Sequence, residues 1–87
     1  MTIPTIHLNG TSADSLISAL SDAYDALNTA YDALRQCAPN GRDYYPQGPH
    51  AINVATAEHF GRLRRIQDTQ AELVRLIEGI EEQTRKI

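Results

Sequence analysis

The chain has a single cysteine, no excess of basic residues and no apolar run of membrane-spanning length. Each shortage removes a class of function. Cys37 cannot close an internal disulfide, which fits a reducing compartment. A formal charge of −3 and a pI near 5.4 argue against general nucleic-acid binding, which calls for a basic surplus. No stretch is apolar enough to span a bilayer, and no basic-then-apolar segment opens the sequence. A cytoplasmic location away from membranes is therefore expected, and the Asn9-Gly10-Thr11 sequon is read as accidental.

Catalytic patterns are equally scarce. His7, His50 and His59 have no ligand spacing on a shared helix face, and Cys37 has no second cysteine, so neither a metal nor a cofactor is expected. Near the end of a helix, Cys37 lacks the N-terminal dipole that would activate a thiolate. There is no Gly-rich phosphate loop and no serine elbow. Asp25 and Asp32 stand two helical turns apart and read as solvated carboxylates. The expectation is a protein without enzymatic activity.

What the chain does contain is helical periodicity interrupted once. Its 87 residues make one domain, with an expected arm over residues 1–10, a helix over 12–37, a loop over 38–49 and a second helix over 50–84. Pro4 removes a backbone donor, so residues 2–8 are expected as an edge strand or an extended arm. Thr11 or Ser12 can cap the first helix, whose apolar stripe is Leu20, Tyr24, Leu27, Tyr31 and Leu34. Ala23-Tyr24-Asp25-Ala26-Leu27 recurs seven residues later as Ala30-Tyr31-Asp32-Ala33-Leu34, a heptad flanked by small alanines. Tyr24 and Tyr31 are read as packing with their hydroxyls near a rim.

The second stripe runs Ile52, Ala55, His59, Leu63, Ile66, Gln70, Leu73, Ile77, Ile80, with Val54, Phe60 and Leu76 widening it. The last residues, 81–87, are expected to fray. An all-α antiparallel two-helix hairpin follows. Its longer second helix overhangs, exposing Leu73, Leu76, Ile77 and Ile80 unless Ile3, Ile6 and Leu8 cover them. One hairpin leaves apolar flanks bare, so a homo-oligomer, at least a dimer, is expected.

The interruption, Ala38 to Pro49, carries three prolines, two glycines, two tyrosines, an arginine and an aspartate. Of eight cationic and eleven acidic side chains, five arginines and only two carboxylates fall between residues 35 and 65. That local positive charge beside a helix N-terminus describes an anion site. Arg42 with Arg62 or Arg65 would hold phosphate, and Tyr44 or Tyr45 would stack on a base. Asn40 and Gln47 would read polar edges, with Asp43 and His59 nearby. The competing reading pairs Arg42 with Asp43, closes the tyrosines over the tip as packing, and makes His59 a hydrogen-bonded core histidine.

The strings Thr5-Ile6-His7-Leu8-Asn9-Gly10-Thr11 and Asn40-Gly41-Arg42-Asp43-Tyr44-Tyr45-Pro46-Gln47-Gly48 resemble small phage and prophage proteins. That resemblance implies a viral accessory protein made inside a bacterium. The expected architecture also resembles, at the level of fold alone, phage sponge proteins that sequester cyclic-nucleotide immune signals. Two functions then compete. One is sequestration of a small phosphorylated, nucleotide-type signal. The other is an interaction module that blocks a host defence protein, with a ligand-free structural hairpin as a third.

Overall fold

The computed structural model describes residues 1–85. All regular structure among them is helical: α1 (Ala13–Arg35), a single turn α2 (Gly41–Tyr44) running into a 3-10 turn (Tyr45–Gln47), and α3 (Ala51–Arg85). Ser12 caps α1, its Oγ accepting from the Ser15 N–H at 3.1 Å, and Asp14 sits in the first turn where its charge suits the dipole. The helix closes two residues earlier than its periodicity predicts. The N–H groups of Cys37 and Ala38 turn back onto the carbonyls of Leu34 and Arg35. Pro39 forbids helical backbone at the residue before it.

The expected loop is partly helical. Asn40 Oδ1 accepts from the Arg42 N–H at 3.0 Å and starts α2, and Pro46 stands at the beginning of the 3-10 turn, where its missing donor costs nothing. Gly48, at φ 110°, ends the connector in a conformation that side chains rarely adopt. The His50 carbonyl then accepts the first bonds of α3, from Asn53 and Val54.

The two stripes meet as their spacing predicts. Leu20, Tyr24, Leu27, Tyr31 and Leu34 are all half-buried on α1, and the buried residues of α3 are Ala55, His59, Leu63, Gln70 and Ile80. Gln67 Nε2 reaches the Tyr31 hydroxyl at 3.4 Å, while Gln70 Nε2 donates to Asn28 Oδ1 at 2.8 Å and the Tyr24 carbonyl at 3.3 Å. Later residues of α1 thus face earlier residues of α3. Gln70 interrupts an apolar stripe without loss, because its buried amide has partners.

The far end of α3 differs from the expected bare overhang. Ile80 is 0% exposed, and Leu73, Leu76 and Ile77 are half-buried. The start of α1 lies alongside this stretch, and the arm is bonded to it as well. Gln83 Oε1 accepts from the Ile6 N–H at 2.9 Å, and Gln83 Nε2 donates to the Pro4 carbonyl at 2.7 Å. One side-chain amide thereby pairs with the arm backbone as a neighbouring strand would. Ile3 lies against Gly79, where a Cβ would come 2.5 Å from its Cδ1. Leu8, 98% exposed, contributes no cover. It belongs to a turn in which the Gly10 N–H bonds to the His7 carbonyl. Glu81–Arg85 remain helical, and the rest of the expected frayed end, residues 86–87, lies outside the described residues.

The resulting body measures 62 × 20 × 18 Å, with a radius of gyration of 19.0 Å against about 12 Å for a compact chain of this length. It exposes 6497 Å², against roughly 5,100 Å² for a compact monomer of its mass. Among the described residues no helix is long and apolar enough to cross a membrane.

Candidate functional site

Most of the residues proposed from the sequence stand on the surface. Asn40, Arg42, Asp43, Tyr45 and Gln47 are exposed, and Tyr44 is half-buried. Asn40 spends its side-chain oxygen on capping α2, so only its amide nitrogen is free to meet a ligand. Arg62 and Arg65 are exposed and lie roughly 60° apart around α3, sharing one flank. Arg64 sits on the other, roughly 200° from Arg62.

His59 alone among the proposed residues lies within a hollow. It is 4% exposed, and its Nε2 has no hydrogen-bond partner, an uncompensated loss of hydration of the kind that costs about 1–3 kcal/mol. The hollow, about 280 Å³, is lined by His59, Thr56, Leu63 and Phe60 from α3, and by Arg35, Ala38 and Pro39 from the end of α1. The Thr56 hydroxyl is engaged with the Ile52 carbonyl at 2.8 Å, leaving Arg35 and His59 as the polar groups with capacity to spare.

A second hollow of about 510 Å³ adjoins it, sharing Arg35, Phe60 and Leu63 and adding Tyr31, Arg64, Gln67 and Asp68. Neither Arg35 nor Arg64 forms an ion pair among the described residues. Two unpaired guanidinium groups and a 64% exposed phenyl ring thus border one open groove at the connector end, with buried His59 in its wall. Such a groove can bind an anion through forked N–H donors and cover a planar group with a ring. No group of three or more metal-ligating side chains occurs among the described residues.

Sequence reasoning placed the site at the connector tip and passed over Arg35, Phe60 and Arg64. Phe60, Arg64 and Gln67 are spaced four and three beside the core stripe, a second line on the same helix. That line was the available signal.

Comparison with protein-family models, curated proteins and solved structures finds no match to this chain.

Proposed function

We propose that the chain is a non-enzymatic binding protein that captures a small phosphorylated, nucleotide-type molecule at the connector end of a self-associating helical hairpin. The observation that carries this reading is that buried His59, whose Nε2 has no partner in the protein, lines a hollow together with Arg35. A native fold keeps few such orphaned groups, and a bound ligand is one reason to keep one. In this reading Arg35 holds phosphate and His59 makes the buried polar contact. Capture without turnover needs only affinity and abundance, which suits so small a chain.

The opposed order of contacts between α1 and α3 supports the antiparallel hairpin. The surplus surface supports self-association. The resemblance of the arm and connector strings to phage proteins supports an accessory, anti-defence role in the host cytoplasm.

Titration calorimetry against cyclic dinucleotides and ADP-ribose derivatives tests the capture. Saturable heat that disappears in Arg35→Ala and His59→Leu is expected. Absence of heat for the whole panel overturns the reading. Recovery of one stoichiometric host protein from bacterial lysate favours the blocking module instead.

A further inference from the structure

The groove beside the connector continues along the molecule. Phe60, Gln67 and Val74 follow one another at heptad spacing on α3, so they form a line displaced from the core stripe, and all three are exposed. At the connector half this line borders the hollow of Tyr31, Arg35 and Arg64. At the other half it borders a smaller hollow of about 210 Å³, lined by Ser21, Tyr24, Asp25, Val74 and Ile77. The first hollow carries two arginines against Asp68, and the second carries Asp25 alone among charged groups.

We infer that this flank is the docking face for a second copy of the chain, laid antiparallel, with each Phe60 seated in the Tyr24–Val74–Ile77 hollow of its partner. A two-fold axis passing near Gln67 brings residue 60 of one copy level with residue 74 of the other. Such an axis is the ordinary symmetry of a homodimer. Each phenyl then lies roughly 10 Å from the axis, at seven residues of helix rise. The same arrangement sets Arg64 of each copy towards Asp25 of the other, whereas parallel docking would oppose like charges. Area is consistent as well. The chain exposes roughly 1,400 Å² more than a compact monomer of its mass, and a stable interface takes about 800 Å² from each partner.

This inference deepens the self-association within the proposed function, but its test is independent of any ligand. Sedimentation velocity over a concentration series is run on the wild type, Phe60→Glu, Arg64→Glu and Asp25→Arg, with circular dichroism on each. The wild type is expected to associate, and Phe60→Glu to lose that association with its helicity intact. Arg64→Glu and Asp25→Arg alone should each weaken association at least about fivefold. An equal mixture of those two variants should restore it, since both cross-contacts then pair opposite charges. This mixing experiment decides the matter even if Phe60→Glu fails to fold. A wild type that stays monomeric, a folded Phe60→Glu that associates like the wild type, or a mixture no stronger than its parts overturns the face. Calorimetry on the wild type reports ligand capture separately, so loss of one claim does not carry the other with it.

Discussion

The two ends of α3 hold opposite conditions. At the far end, Ile80 is completely buried, and Gln83 uses both its oxygen and its nitrogen on the arm backbone. At the connector end, Phe60 stays exposed, His59 is buried with an unsatisfied nitrogen, and Arg35 and Arg64 have no ionic partners among the described residues. The same helix is thus clasped by its own arm at one end and left with unpaired polar groups at the other. Burial and hydrogen bonding are satisfied where the protein needs only to hold together. They are withheld at the end where we propose that a ligand binds.

The largest expected effect falls at the sealed end. Ile80→Ala removes the one fully buried large side chain, and large-to-small core changes of this kind cost about 2–5 kcal/mol. Denaturant unfolding should show most of the protein's stability gone. Breaking the arm alone is gentler. Gln83→Leu removes the bonds to Ile6 and Pro4, worth about 1 kcal/mol each, and should abolish protection of the Ile6 amide in hydrogen exchange. Gly79→Ala sharpens the same point from the other side. Its Cβ would collide with Ile3, while alanine favours the helix by about 1 kcal/mol, so α3 should gain helicity as the arm detaches.

The open end should respond with the opposite sign. His59→Leu replaces an unsatisfied buried imidazole by an apolar side chain and should raise stability by about 1 kcal/mol, read as a higher denaturant midpoint. The same variant should lose ligand heat. Stability gained with binding lost separates a group kept for a ligand from one kept for packing. If His59→Leu destabilises instead, the imidazole supports the fold and the contrast between the ends weakens.

Much of this layout is legible in residue spacing, because both apolar stripes are long and burial follows periodicity directly. Ile52 through Ile80 fall on the inward face, His59 and Gln70 included. What spacing cannot carry is the chain's return on itself. Gln83 reads as one more polar residue near a helix end, and nothing local marks it as the clasp for Pro4 and Ile6, 79 and 77 positions away. The groove escaped for a related reason. Proline, glycine and tyrosine draw attention to the tip, but a hollow needs walls from two helices. Arg35 and Phe60 become neighbours only after α1 and α3 pack.

The connector itself supplies the smallest test. Asn40 was expected to read a ligand, yet its oxygen caps a helix of only four residues. A capping bond ordinarily contributes about 1 kcal/mol, but a single turn can unwind locally without opening the α1–α3 contact. Asn40→Ala should therefore shift the global unfolding midpoint by no more than a few tenths of a kcal/mol. Hydrogen exchange at the Arg42 amide, which loses its acceptor, should rise by much more than that midpoint implies. Asn40→Ser keeps a capping oxygen and removes the side-chain amide, so it separates the two roles. Ligand heat retained in Asn40→Ser and reduced in Asn40→Ala would mean that the connector serves the groove by holding its shape. Heat lost in both would mean that the Asn40 amide touches the ligand, moving the boundary between the sealed and open parts of the molecule out to the tip.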